Sequence, residues 1–375
     1  MSATRTTPLH ERHAALGASF TDFGGWDMPV RYTSDLGEHH AVRQAAGLFD
    51  ISHMAEFLVT GAGAGAFLDD ALAGRISTMK TGKAKYSLLL TDAGGVLDDV
   101  IVYRLADERF LVISNAGNRE AVAAAFAERV RDHSADAADA AVEDVSDAYA
   151  LIAVQGPRAR EIVEATAGIA DVAPALADLG YYAWSGGTFQ GEPLFIARTG
   201  YTGEDGFELM IPNELAPALW DALLVAGTPL GLVPAGLAAR DTLRLEAGMP
   251  LHGHELSTDI LPAQAGLGRV VAMDKADFIG KAALAAASDD LPVLVGLVAD
   301  GRRAGRAGYP VLDADSGAPV GEITSGALSP TLGYPIALAF VAPASAAVGT
   351  SLFIDVRGTP IPATVTALPF YRRTA

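Results

Sequence analysis

The chain has 375 residues, half of them hydrophobic and 19% charged, with a formal net charge of −18 and no cysteine. This length favours two or three domains over a single core, and the acidic balance argues against a non-specific nucleic-acid binder, which needs a basic footprint. The missing cysteines exclude disulfides, thiolate zinc sites, cysteine-held iron–sulfur clusters and cysteine nucleophiles.

A reducing cytoplasm is the expected compartment. No run of about 18 apolar residues predicts a membrane span. The start, MSATRTTPLHERHAALG, lacks an apolar core and contains Glu11, so it reads as neither a secretory signal nor a transit peptide.

In chain order, Glu56–Thr60 reads as a strand, Ala64–Ala73 as a helix and Tyr86–Leu90 as a strand. The turn Thr91–Gly95 leads into a strand at Val96–Arg104, followed by a strand at Phe110–Ser114 and a helix at Asn118–Val130. DHSADAADAAVEDV predicts a polar linker near 132–146. Beyond it, strands are expected at Ala150–Val154, Leu194–Arg198 and Phe207–Ile211. Helices are expected at Pro157–Thr166, Glu214–Val225 and Ala235–Ala247. Short hairpins mixed with single helices suggest split βαβ units and an α+β class. From about Leu291 the texture changes to short β-rich runs between Gly and Pro (VLVGLV, YPVL, PVGEITSG, IALAFV, SLFIDV, PIPATVTAL), which predict a small all-β barrel or sandwich.

TDAGGVLDDVIVYRL sets Asp98 and Asp99 at the entrance of an otherwise apolar strand, although burying a charge is costly unless it is paired. Alternation puts Leu97, Asp99, Ile101 and Tyr103 on one face and Val96, Asp98, Val100 and Val102 on the other. One carboxylate can point into a cleft while the other caps the turn; from this segment alone, the favoured reading is that both bond the turn's own amides. In the hairpin RTGYTGEDGFELMIP, Phe207, Leu209 and Ile211 face a core and leave Glu208 on the opposite side. In AGLAARDTLRLEAGMPLHGHE, Arg240 and Arg244 lie one helical turn apart. FGGWDMPVRY and GLFDISHM place aromatics beside glycines and a histidine. Singly, these fit a solvated hairpin, a salt-bridged helix and core aromatics.

Taken in order, FGGWDMPV, GLFDISHM, YSLLLTDAGGVLDDVIVYR, VISNAGNRE, ALIAVQGPRA, RTGYTGEDGFEL, GLAARDTLRLEAGMPLHGHEL, FIGK and GEITSGALSPTLG closely resemble the T-protein family of the glycine cleavage system, from about Pro8 to Arg372. The resemblance implies an α+β, multi-lobed folate-binding fold. Two interleaved ferredoxin-like α/β lobes would occupy residues 1–285 and a C-terminal all-β barrel residues 286–375. It implies a tetrahydrofolate-dependent aminomethyltransferase of glycine catabolism. The partners would be lipoylated H-protein and tetrahydrofolate, the acceptor substrate, with no metal, nucleic acid or membrane involved.

Asp99 matches the family's catalytic aspartate beside the reacting folate amines; at an ordinary pKa of about 4 it is a carboxylate, suited to orienting an amine and stabilising positive charge. Asp98 is assigned to the turn. Glu208 matches the pterin-binding glutamate, a carboxylate accepting two parallel N–H donors. Arg240 matches a folate-contacting arginine whose fork Lys could not replace equally. A buried Glu–Arg pair without a ligand is the structural alternative for these two. Tyr86, Tyr103, Asn115, Tyr201 and Met54 fit positions lining the folate channel, and Arg372, in PFYRR, fits a contact to the folate tail.

Three tempting motifs are set aside. GAGAGA at Gly61–Ala66 mimics a dinucleotide fingerprint, but Arg75–Tyr86 lacks the required acid. STMK at Ser77–Lys80 matches S-x-x-K without the companion S-D-N. His252, His254 and Glu255 lack further ligands and the spacing of a metal site, and are expected in a polar loop. The competing enzyme reading is a related tetrahydrofolate-dependent demethylase or methyltransferase acting on a small methylated donor. Relatives assisting iron–sulfur assembly carry a K-G-C-Y motif that a cysteine-free chain cannot supply.

Overall fold

Alternation of apolar residues builds the first layer of this structure, a computed structural model describing residues 4–131 and 139–373. A seven-stranded sheet runs, edge to edge, through Ile169–Ala173, Trp184–Phe189, Glu192–Ala197, Gly206–Pro212, Tyr149–Gln155, Ala46–Asp50 and Leu232–Pro234. All neighbours are antiparallel except the last pair, which is parallel. Ile152, Val154, Ile196, Phe207, Leu209 and Ile211 form one face. They pack into a core with Ile162 and Val163 of the helix Ala159–Ala165 and with Leu219, Trp220 and Leu223 of the helix Ala216–Gly227. Glu208 is left on the other face, as the hairpin pattern predicts.

A five-stranded sheet follows the order Ala84–Leu90, Val96–Ala106, Arg109–Ser114, Ala55–Thr60 and Ala141–Asp144. Phe57 of this sheet meets Phe126 of the helix Arg119–Arg131 edge-on, and Phe126 in turn touches Phe67 of the helix Ala64–Ala71. Of the polar stretch 132–146, residues 132–138 lie outside the described residues, and Ala141–Asp144 is an edge strand.

The chain divides into two units, one of Met1–Ala71, Arg75–Ser87 and Val100–Arg240, the other of Leu72–Gly74, Leu88–Asp99 and Asp241–Ala375. The second contains a closed six-stranded barrel in the order Val293–Ala299, Pro335–Val341, Pro319–Leu328, Pro310–Asp313, Ser351–Val356 and Thr359–Thr366. Gly296 opposite Thr366 closes the ring, which decides between barrel and sandwich. Every second residue (Val295 and Leu297, Leu352 and Ile354) turns inward. Also in this unit, Arg244 is buried, donating to Glu255 at 3.2 Å and to Ser325 at 2.8 Å. The carboxylate of Glu246 accepts from Ser329 and Thr331. Glu255, expected in a polar loop, is thus a fully buried partner of Arg244.

The helix Asp35–Gln44 is invisible to apolar periodicity because two of its three buried side chains are Glu38 and His39. Ser34 caps it, accepting the Gly37 N–H, and Glu38 accepts the backbone N–H groups of Tyr32, Thr33 and Gly236. Asp50, ending its strand, takes the Thr7 hydroxyl at 2.6 Å, His13 Nε2 at 2.8 Å and the Ser52 N–H at 2.9 Å. Burial opposes ionisation of Asp50, but His13, Ser52 and Thr7 together outweigh it and hold the carboxyl below its ordinary range. Asp50→Ala strands three buried donors, and denaturant unfolding at pH 7 is expected to show a loss of about 3–5 kcal/mol.

Candidate functional site

Glu208 sits directly opposite Ala197 on one neighbouring strand and Ala153 on the other. Cross-strand partners share a face, so two small side chains leave a well around the carboxylate. Thr199 lies two residues beyond Ala197, and the antiparallel register would set it across from Gly206. With no side chain at Gly206, the Thr199 hydroxyl reaches diagonally to Glu208 Oε2 at 2.6 Å. Tyr103, from the strand Val96–Ala106, brings its phenol within 3.0 Å of the same hydroxyl. Burial raises the Tyr103 pKa well above 10, so the phenol stays protonated. The carboxylate can only accept, so the chain runs Tyr103 to Thr199 to Glu208.

Gln155 locks the hairpin neck. Its Nε2 donates to the Thr199 carbonyl at 3.0 Å, and its Oε1 accepts the Thr202 hydroxyl at 3.1 Å. A Cβ on Gly200 or Gly206 would stand 1.9 or 2.4 Å from this amide, so the glycines of RTGYTGEDGF are required by the close approach. Arg43 donates to the Thr202 carbonyl at 2.7 Å and to Glu204 at 2.9 Å, fixing the far side of the turn that carries Tyr201. The Arg240 guanidinium lies 4.8 Å over the Tyr201 ring, a cation–π contact.

Burial raises the Glu208 pKa above its ordinary value, with Thr199, Arg240 and Tyr103 opposing. Burial lowers that of Arg240, with Glu208 and Tyr201 opposing. The two groups therefore feel one another's charge, yet among the described residues no hydrogen bond or ion pair joins them. His53 is a further buried group here. Its Nδ1 has no hydrogen-bond partner, and its ring meets Phe23 edge-on at 5.4 Å. Burial takes its pKa down to about 4, against the pull of Asp50 and aided by Arg240, so the imidazole is neutral at pH 7.

The structure thus brings Glu208, Tyr103, Arg240 and Tyr201 together. Met54 and Asn115 are neighbours by register, since Ala55 pairs with Ser114 at the ends of their strands. Tyr86 is half-buried in the strand Ala84–Leu90. Asp99 is half-buried with Leu97 and Ile101, while Asp98 is fully buried on the opposite face with Val96, Val100 and Val102. Asp99 shares its strand face with Tyr103, about 13 Å away at 3.3 Å per residue. Arg372 is exposed beyond the last barrel strand.

Thr199, Gln155 and His53 are the residues that sequence reasoning did not single out. All three stand inside quoted motifs, but only strand register and burial set them apart. Among the described residues no group of three His, Asp or Glu could hold a metal ion. A carboxyl-carbon NMR titration is expected to place Glu208 above its ordinary value. Arg240→Met is expected to move it higher still, because the cation that favours the charged form is gone.

Against known proteins, residues 9–275 match the family described as the GCVT N-terminal domain, and residues 293–372 match the glycine cleavage T-protein C-terminal barrel domain. An aminomethyltransferase of Cutibacterium acnes is 54% identical over 378 residues, covering 100% of both chains. One of Saccharopolyspora erythraea is 53% identical over 378 residues, again covering 100% of both. The crystal structure of glycine cleavage system aminomethyltransferase T from Bartonella henselae superposes with a TM-score of 0.88 at 37% identity, covering 98% of each chain. With both domain models matched in order and relatives aligned end to end, the chain belongs to the glycine cleavage T-protein family.

Proposed function

We infer that this chain is the aminomethyltransferase of a glycine cleavage system. It takes the aminomethyl group from the lipoyl sulfur of H-protein and passes its carbon to tetrahydrofolate. Ammonia and dihydrolipoyl H-protein are released, 5,10-methylene-tetrahydrofolate is formed, and no net oxidation occurs. Residues 1–285 form the folate-binding region and 286–375 the accompanying barrel. The cysteine-free composition is compatible with a reducing cytoplasm, where we place the enzyme.

The observation that carries the folate reading is the open relation of Glu208 and Arg240. A closed structural pair would bond directly. These two face each other's charge unbonded, beside the Tyr201 ring. A pterin has a two-donor edge for the carboxylate, a carbonyl for the guanidinium and a flat ring for aromatic and thioether walls. Tyr86, Tyr103, Asn115, Met54 and the unpartnered His53 Nδ1 supply such surroundings, and Arg372 serves the anionic tail.

The nucleophile belongs to the substrate, so the protein's work is placement, worth roughly seven kcal/mol or more in well-oriented cases. Asp99 orients the folate amine and stabilises the positive charge that develops as ammonia leaves. Apolar walls keep water from the reactive carbon.

The test mixes the protein with tetrahydrofolate and aminomethylated H-protein and follows ammonia. Release that requires both partners is expected; no release, with methyl transfer from a free small donor instead, would select the demethylase reading. Asp99→Asn is expected to keep the fold and folate binding while turnover falls roughly 100-fold or more. Near-normal turnover in that variant would remove Asp99 from the mechanism.

A further inference from the structure

We propose that Thr199 is a positioning residue of the folate site, fixing the plane of the Glu208 carboxylate so that its remaining lone pairs meet two parallel donors of the pterin edge. The inference rests on the reading of Glu208 as the pterin-binding carboxylate.

Thr199 is 1% exposed and has one hydroxyl proton. That proton goes to Glu208 Oε2 at 2.6 Å, the length of a charge-assisted bond. The Thr199 oxygen is then free to accept from Tyr103 at 3.0 Å, and its carbonyl is tied to Gln155 at 3.0 Å. Held from backbone and side chain alike, the hydroxyl occupies one lone pair of Oε2. A carboxylate between two alanines takes its orientation from its hydrogen-bond donors, and the Thr199 hydroxyl is the one that reaches Oε2 at 2.6 Å. The β-branch of threonine restricts χ1 and keeps the donor aimed. Donation also favours the charged carboxylate, opposing burial.

Tetrahydrofolate affinity of the full-length protein, measured by calorimetry from pH 5.5 to 8.5, separates this role from simple packing. Ligand binding needs ionised Glu208, so affinity falls as pH drops through its pKa. Thr199→Val, isosteric but without the donor, is expected to weaken binding roughly tenfold or more. It should also move the acid limb of the profile to higher pH, with kcat at saturating folate little changed. Thr199→Ser is expected to restore both affinity and profile. Thr199→Ala carries the same expectations as Thr199→Val if the latter does not fold. An unshifted acid limb in the Val or Ala variant, or no rescue by Ser, would overturn the proposal. Glu208→Gln separates the two levels. If it binds tetrahydrofolate as the native chain does, the underlying reading of Glu208 fails. If it loses binding while Thr199→Val keeps native affinity and profile, only the role of Thr199 fails.

Discussion

A carboxylate set on a sheet whose opposite face is sealed hydrophobic core is the constraint from which the site is built. Phe207 and Leu209 turn into the core, so Glu208 between them has no choice of side. Its burial must be answered by donors. Thr199 and Tyr103 answer part of it, and Gln155 holds Thr199 by its carbonyl. Gly200 and Gly206 are then forced, because the Gln155 amide fills the space that their side chains would take. One charged group thus accounts for Thr199 and for the two glycines packed against Gln155.

The same reasoning separates site from scaffold. Asp50 is closed by three protein donors, Glu38 by three backbone N–H groups, and Glu204 by Arg43. Arg244 is closed by Glu255, Asp241 and Ser325. Arg240, one turn earlier on the same helix, has an aromatic ring beneath it and a carboxylate at a distance. Two arginines that look equivalent in sequence therefore do different work. One is spent on the fold of its own unit, and the other is the one we propose for a ligand.

Much of this was legible in the residues. Period-two alternation marked the barrel strands and the core face opposite Glu208, because side chains on those strands are sorted by a single apolar face. The helix at Asp35–Gln44 was hidden since its buried side chains are mostly polar. The strand Ala46–Asp50 is buried along its whole length and shows no alternation, and Trp184–Phe189 is interrupted by two glycines. Motif resemblance pointed to Glu208 and Arg240, but the role of Thr199 depends on Ala197 standing opposite Glu208, a register that no single segment reveals.

A crystal structure with tetrahydrofolate bound tests the central claim most directly. The amino edge of the pterin is expected about 2.7–3.2 Å from the Glu208 carboxylate, with the Thr199 hydroxyl still bonded to Oε2. Tetrahydrofolate bound elsewhere, with Glu208 turned to solvent or closed onto Arg240, would contradict it.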